Sequence, residues 1–432
     1  MKTPILSQVR NILCLVLCCF ITFQLNAQSG IIPPANPLPQ ATIPVDNLRS
    51  WLLNAPKENA GNAKSKIIVV DLPMPSGESM TFRAVETKMM SDELADAFPQ
   101  IKTYRITSML NPSIYGNLTV SPRGMDALIS TPKDNVFIEP VSVGSEEHYV
   151  YYQKDGSTFV HPEQDMFFDN NVKNIENSGQ GKSPMHQHGE GSEPHEHVEN
   201  GLVRAFNGAL NIGTDLRTYR VHITTKPEYS AQHDGGAVTA AAGIANVTAV
   251  VVAQINSASL LFERDIAIRL LADQTLVFLN APANDNGAAT GLFVGGGLAT
   301  EGLDVYRQLT DDDPNISYDG LDINSFDLGH VFGGTGGNGS AFIGVVCQNT
   351  DISFNGSIGP GKGGGGTQSS NAMGSGWIEL FSHEMGHQFS ARHTFNGLAG
   401  DCGPGADGIL GTNDDQTSPI NAVEPGSGVT IM

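Results

Sequence analysis

Three histidines and a glutamate lie close together near the end of the 432-residue chain, in the stretch FSHEMGHQFSARHTFN at residues 381–396. The pattern around them predicts a buried helix over residues 374–388. On a helix, His383 and His387 are four residues apart and lie on one face. Two imidazoles at that spacing can bind one zinc ion. Glu384 lies beside this face, where it is poorly placed as a ligand but well placed to take a proton from a metal-activated water.

The third ligand has to come from beyond this helix. His393 is six residues past His387, too far to stay on the same face if the helix continued. If the chain turns sharply near Ser390, His393 returns as a third nitrogen ligand and leaves the fourth position open for water, as a catalytic zinc requires. Three neutral ligands leave the charge of the ion uncompensated, which should lower the pKa of that water to about 7.

The alternative is a group of buried histidines with ordinary hydrogen bonds. Histidine makes up only 12 of the 432 residues. A third histidine at a fixed offset is therefore an uncommon coincidence, and it favours the metal site.

The run HEMGHQFSARH resembles the extended HExxHxxGxxH motif of metzincin zinc peptidases. The Thr-Phe-Asn that follows it is most similar to bacterial reprolysin-like (adamalysin-related) members, as are the upstream runs FDLGHVF and SAFIGVVC. The resemblance covers roughly residues 216–432. It implies zinc on His383, His387 and His393, with Glu384 as general base. Ser390 stands where the family has a glycine, the residue that best tolerates left-handed backbone angles.

The same resemblance implies two further features of the site. One is a strand at the edge of a sheet that pairs with extended peptide substrates. Its residues would be Ser340, Ala341, Phe342, Ile343 and Gly344. The other is the Met-turn, a methionine packed beneath the metal ligands, which would be Met432. Since Met432 is the last residue, the catalytic domain is expected to be cut short there.

Composition along the chain predicts four segments. Residues 1–27 have a basic start, an apolar core and a small-residue end, which predicts a cleaved export signal, secretion, and no stable membrane insertion afterwards. Residues 28–175 read as a small β-rich pro-segment that holds a zymogen inactive. Residues 176–210 are a linker rich in Gly, Ser and His that proteases can reach. Residues 211–432 form the catalytic domain.

Strands and helices alternate in the catalytic domain, which predicts an α/β fold. By resemblance, this is a metzincin-like domain with a twisted mixed sheet and a long active-site helix. The predicted strands are 217–225, 259–271, 327–332 and 340–348, and the predicted helices before the histidines are 236–256 and 297–309. Residues 356–376 are dominated by Gly and Ser and predict a mobile surface loop.

The remaining signals concern partners and ions. The formal charge of −21 argues against a nucleic-acid partner, so the expected substrates are proteins or peptides. Calcium is a second candidate ion, although an acidic surface loop explains the same oxygen-bearing residues. These residues are Asp407, Asn413, Asp414 and Asp415. Cys347 and Cys402 are expected to pair with each other or with cysteines beyond this sequence.

Together these features predict a secreted zinc-dependent endopeptidase, in which a zinc-activated water attacks the peptide bond and Glu384 is the general base. The alternative is a secreted binding or adhesion module with a vestigial zinc site. An amidase or another zinc hydrolase is disfavoured by the helix, the turn and the third histidine.

Overall fold

Two β-sheets and the helices packed on them make up most of the described chain. The computed structural model describes residues 38–58, 67–153, 215–279, 292–293, 298–310, 320–354 and 356–391, and the backbone of 395–396 and 424–425. These residues all belong to one compact unit, Leu38–Met432. Several sequence predictions lie outside the described residues: the export signal at 1–27, the linker at 176–210, Cys402, the calcium candidates, His393 and Met432.

The N-terminal part is an eight-stranded antiparallel sheet with the strand order β1-β8-β7-β6-β5-β4-β3-β2. The strands are β1 (Gln40–Thr42), β2 (Ile68–Pro73), β3 (Ser79–Thr87), β4 (Lys102–Ser108), β5 (Tyr115–Ser121), β6 (Gly124–Ser130), β7 (Asn135–Pro140) and β8 (Glu147–Tyr152). Two helices accompany them, α1 (Val45–Leu52) and α2 (Asp92–Ala97). Ser91 caps α2, since its Oγ accepts the N–H of Leu94 at 3.1 Å. The predicted β-rich character is therefore observed, in one continuous sheet.

The second sheet has five strands in the order β10-β9-β11-β15-β12. They are β9 (Arg217–Thr225), β10 (Ile268–Val277), β11 (Leu328–Gly333), β12 (Gly337–Ala341) and β15 (Gly365–Ser369). Neighbours from β10 to β15 run parallel, whereas β12 is antiparallel to β15. The predicted mixed, mostly parallel α/β sheet is thus observed. Two small pairs complete the strands: β13 (Asp351–Phe354) with β14 (Ser357–Pro360), and β16 (Phe395–Asn396) with β17 (Glu424–Pro425).

Among the described residues, four helices belong to this second part: α3 (Pro227–His233), α4 (Ala240–Ile266), α5 (Leu298–Thr310) and α6 (Gly374–Gln388). The predicted strand at 259–271 was wrong, because α4 continues to Ile266 and the strand begins only at Ile268. The helix ends where Ala267 takes a left-handed conformation (φ 55°). A continuous apolar run does not separate a buried helix from a buried strand. Although α4 is long and apolar enough to cross a membrane, 78% of its most apolar window is buried inside the protein, as in a core helix.

The glycine-rich segment at 356–376 is not a surface loop. It forms β14, a 3-10 turn at Gly361–Gly363 and β15, which lies between β11 and β12. Neighbouring side chains fill the space beside its glycines: a Cβ on Gly363 would lie 2.5 Å from Cβ of Tyr306, and one on Gly365 2.6 Å from the amide carbon of Gln388. Glycine serves close packing here rather than mobility.

One hydrophobic core runs through both sheets. Its members include Leu128, Phe137 and Tyr151 of the N-terminal sheet and Val221, Val251, Trp377 and Met385 of the second part. A backbone connection adds to this core, because Met90 forms a parallel bridge with Ala272 of β10. The N–H of Ser91 donates to Ala272 O and the N–H of Ala272 donates to Met89 O, both at 2.9 Å. The N-terminal part therefore covers the β10 edge of the five-stranded sheet.

Candidate metal centre

Helix α6 carries His383, Glu384 and His387 through the interior of the protein. Every residue of this helix except Glu379 is buried, and its bounds agree with the sequence prediction. Aromatic contacts anchor it on β11: the ring centroid of Phe332 lies 5.0 Å from that of Trp377 and 4.9 Å from that of Phe381, both edge to face. His383, Glu384 and His387 are only 4%, 2% and 3% exposed, so the site is almost completely shielded from solvent.

The two histidines of α6 direct the same ring nitrogen toward one point. Nε2 of His383 lies 3.0 Å from Nε2 of His387, and the ring planes are nearly perpendicular, at 83°. Two nitrogens bound to a tetrahedral zinc are about 3.3 Å apart, given Zn–N distances of about 2.0–2.1 Å. The observed separation is close to that value. Two neutral imidazoles at this separation therefore form a donor pair that fits zinc.

The other ring nitrogen of His387 fixes which tautomer is present. Nδ1 lies 2.9 Å from the carbonyl oxygen of Ala391, which can only accept, so Nδ1 carries the proton and Nε2 is the unprotonated ring nitrogen. A backbone carbonyl that orients a histidine in this way is typical of metal ligands. The direction of the Nε2 lone pair thus comes from the fold.

The chain turns sharply at Ser390, as the sequence predicted. Ser390 has φ of +79°, in the left-handed region. Its N–H donates to His387 O and the N–H of Ala391 donates to Gly386 O, both at 2.9 Å. This pair of bonds is the Schellman motif that ends helices, with Ser390 in the position usually held by glycine. Serine therefore adopts the family's turn at a cost of about 1–2 kcal/mol.

The predicted substrate-binding strand is shorter than expected. Ser340 and Ala341 belong to β12, which pairs only with β15 among the described residues and so forms a sheet edge. Residues 342–344 lie past its end, and the predicted strand at 340–348 was wrong beyond Ala341. They turn back to α6, where the N–H of Gly344 donates to His387 O at 3.0 Å. The chain leaves the sheet because these groups satisfy carbonyls at the end of the helix.

The loop after β12 also binds the last carbonyl of α6. Val345 and Val346 donate their N–H groups to Gln388 O at 3.0 and 3.3 Å. Gly344 has φ of +69°, and a Cβ there would lie 2.7 Å from Oγ of Ser390. The edge strand and the histidine-bearing helix are therefore held in one register by the loop that follows β12.

A buried polar network that the sequence reading missed locks the end of α6 to the sheet. Gln388 Nε2 donates to Gly329 O at 3.0 Å, so its Oε1 accepts from Nδ1 of His330 at 2.8 Å. Nε2 of His330 then accepts from Oγ1 of Thr367 at 2.9 Å. Burial lowers the pKa of His330 to about 4, which keeps it neutral. A histidine inside the apolar run FDLGHVF was the available signal, because a buried polar group requires partners.

The third predicted ligand, the Met-turn and the predicted disulfide are not observed among the described residues. His393 and Met432 lie outside the described residues, and among those residues no three His, Cys, Asp or Glu side chains converge on one point. Cys347 is exposed, has φ of +63° and has no cysteine partner in the described ranges. The third zinc ligand and the disulfide remain predictions.

This helix and its two histidines point to one class of proteins, the metallopeptidases. The family model of metallo-peptidase family M12 matches residues 215–432, just over half of the chain. The chain belongs to this family and is a reprolysin-like metallopeptidase. The match begins two residues before β9 and covers the whole five-stranded sheet, α6 and the Ser390 turn.

Two further comparisons were made. The chain is similar to the crystal structure of metalloproteinase-II from Bacteroides fragilis, with 10% sequence identity and a TM-score of 0.35, over 81% of this chain and 86% of that one. This TM-score is too low to establish a common fold. No curated protein matches the chain.

Proposed function

We propose that this metallopeptidase is a secreted zinc-dependent endopeptidase. The observation that carries the proposal is the 3.0 Å separation of the two Nε2 atoms, together with the Nδ1 contact to Ala391 O that orients the ring of His387. His383 and His387 hold the ion, and His393 supplies the third nitrogen. Residues 28–175 act as the pro-segment, and cleavage falls within residues 176–210.

The chemistry divides between the ion and the chain. When bound, zinc lowers the pKa of a water molecule and polarises the carbonyl of the scissile bond. Glu384 takes the proton from that water and delivers it to the leaving amine. Glu384 is suited to this role because it follows a ligand directly on a rigid, buried helix. The open side of β12 aligns the substrate as an added strand, so backbone hydrogen bonds orient the peptide next to the histidines.

The decisive test is Glu384→Gln in the full-length protein after cleavage within residues 176–210. We expect zinc content near one ion per chain in both proteins and a loss of casein cleavage of at least about 10³-fold in the variant. Glu379→Gln is the matched control, because Glu379 lies on the same helix but is hydrogen bonded to Gln153 of the N-terminal part. The control should keep its activity. Equal cleavage by Glu384→Gln and wild type would disprove the mechanism, and zinc binding without any cleavage by the wild type would favour the binding-module alternative.

Metal removal tests the ligand assignment separately from activity. A ligand that binds only the folded state raises the melting temperature, so a zinc chelator should lower it and added zinc should restore it. His383→Gln and His387→Gln should melt at the chelated value whether or not zinc is present. His233→Gln, which changes a buried histidine on α3, is the matched control and should still respond to the chelator.

Export is the third part of the proposal. The first 27 residues should be absent from protein recovered outside the producing cell, and the mature chain should begin near Gln28. N-terminal sequencing of the exported protein checks this. Recovery of the whole chain in the cell interior, with Met1 retained, would contradict export.

A further inference from the structure

The edge strand β12 passes so close to α6 that the side chain of Glu384 fills the space in front of Gly339. A Cβ built on Gly339 would lie 2.3 Å from both Cγ and Oε1 of Glu384 and 2.5 Å from Cδ. Carbon atoms do not approach each other this closely without displacement, since optimal contacts are about 3.5–4.0 Å. Gly339 and Glu384 therefore cannot both keep their places once residue 339 carries a side chain.

Neither partner has room to move away easily. Glu384 is 2% exposed and lies on a helix that is buried along almost its whole length. Gly339 is paired with Thr367 in the middle of the β12–β15 ladder. Beyond the strand, Phe342 N–H donates to Gly364 O at 2.9 Å and Gly344 N–H donates to His387 O at 3.0 Å. A methyl group at position 339 must therefore push the Glu384 carboxylate aside or strain the ladder.

We propose that Gly339 is a positioning residue for Glu384. The absence of a side chain at position 339 lets the carboxylate lie directly beneath the sheet edge, beside His383 and facing the strand that aligns the peptide. Its effect on catalysis rests on the proposed function, in which Glu384 is the general base. The steric relationship itself does not depend on that function.

The same strand offers a matched control. Gly337 is two residues earlier in β12, so its Cβ would point to the same face of the sheet. A Cβ on Gly337 meets nothing within 4 Å. Neither glycine has a positive φ, so alanine fits the backbone at both positions. Gly337→Ala thus introduces the same methyl group on the same edge strand without touching Glu384.

Kinetics separate positioning from substrate binding. A displacement of about 1 Å in a catalytic group lowers turnover by about 100-fold, so Gly339→Ala should lower kcat by about that factor. KM and zinc content should stay within about twofold of wild type, since the histidines and the outer edge of β12 are unchanged. Gly337→Ala should keep the zinc content of the wild type, and it is the control for the thermal measurement that follows. If Gly339→Ala raised KM and left kcat unchanged, the proposal would be overturned, because the added methyl group would then disturb the bound substrate rather than Glu384.

A thermal cycle tests the steric relationship without using activity. Gly339→Ala should lower the melting temperature of the wild type by several degrees but change that of Glu384→Ala little, because truncating Glu384 removes the atoms that the methyl group would meet. Gly337→Ala should have the same small effect in both backgrounds. If Gly339→Ala is insoluble while Gly339→Ala with Glu384→Ala folds, the coupling is demonstrated directly.

The possible failures are distinguishable. An equal loss of melting temperature from Gly339→Ala in both backgrounds would overturn the proposal, since Glu384 would not be the group displaced. Coupling in the thermal cycle together with an inactive wild type would contradict the proposed function and still support the placement of Glu384 by Gly339.

Discussion

Nδ1 of His387 donates a hydrogen bond to the carbonyl oxygen of Ala391, at 2.9 Å, across the left-handed turn at Ser390. The turn that ends α6 thus also sets the orientation of a predicted metal ligand. Helix termination and ligand orientation depend on the backbone conformation of one residue, and this residue is a serine rather than a glycine.

Ser390→Gly should stabilise the protein by about 0.5–1 kcal/mol. Glycine removes a left-handed strain of about 1–2 kcal/mol, and part of this gain is lost because glycine makes the unfolded chain more flexible. Ser390→Val should be destabilising and should weaken zinc binding, since a β-branched residue tolerates this conformation least. Urea unfolding and zinc titration measure both effects. A destabilised Ser390→Gly would show that the packing of Oγ against Gly344 outweighs the strain.

Gln388→Leu should cost about 2–4 kcal/mol of unfolding free energy. The change leaves Nδ1 of His330 and the carbonyl oxygen of Gly329 buried without their partner, and such groups cost about 1–3 kcal/mol each. Gln368→Leu on β15 is the control, because Gln368 makes an exposed hydrogen bond to Asn338, and it should stay within about 0.5 kcal/mol. Equal effects of the two variants in urea unfolding would contradict the structural role of the Gln388 network.

Acid should destabilise the fold through buried His233. Burial, together with the nearby charge of Arg123, lowers the pKa of His233 from an ordinary value near 6.5 to about 3. Between pH 6.5 and about 3 the unfolded chain binds a proton there that the folded chain does not, so this contribution to stability is present above pH 6.5 and is lost as the pH falls. Wild type should lose up to about 1.4 kcal/mol per pH unit more than His233→Gln in this range. Identical pH slopes in chemical unfolding would show that His233 titrates normally.

The N-terminal sheet should stay attached when the chain is cut between residues 154 and 214. Both parts share one hydrophobic core, and buried Asn117 and Asn256 add hydrogen bonds between them: Asn117 Nδ2 donates to Asn256 O at 2.8 Å, and Asn256 Nδ2 donates to Thr119 Oγ1 at 2.9 Å. After a protease nick, the fragments should elute together in gel filtration and separate only in denaturant. Elution as two species in native buffer would contradict this.

A substitution in the interface should weaken this association. Asn117→Ala removes the hydrogen bonds of a buried side chain. It should lower the free energy of separating the nicked fragments by about 1–3 kcal/mol, and the denaturant midpoint should fall accordingly. Asn54→Ala is the matched control, because Asn54 is exposed, lies just past the end of α1 and donates to the carbonyl oxygens of Ser50 and Trp51. Equal midpoints for the two variants would place the main stabilising contacts elsewhere in the interface.

The sequence predicted α6 and its turn well, because both depend on local chemistry. A buried apolar helix with histidines four residues apart has one geometry, and the distance from His387 to His393 requires a turn near Ser390. Local sequence patterns did not predict two other elements correctly. In α4, an apolar run was interpreted as the strand at 259–271. The end of β12 is set by a hydrogen bond to the distant carbonyl of His387, which no local pattern indicates.

The residues that the sequence reading missed act through long-range packing. Gly365 appeared to belong to a mobile loop, but its lack of a side chain admits the Gln388 amide into the sheet, and Gly339 does the same for Glu384. A glycine that lets another element approach and a glycine that permits motion look identical in sequence. Only the three-dimensional neighbour distinguishes them, which is why Gly339 could not be recognised from the sequence alone.

The covered edge of the five-stranded sheet has a consequence for inhibitor design. Met89–Ser91 occupy the β10 margin, so within the described residues the sheet can be extended only along β12, whose Gly339 lies over Glu384. A strand-shaped peptide mimic that pairs with the open edge of β12 would therefore lie along the strand whose Gly339 contacts Glu384. An inhibitor could therefore combine a peptide backbone that pairs with β12 and a metal-binding group placed next to Gly339, where the strand contacts α6.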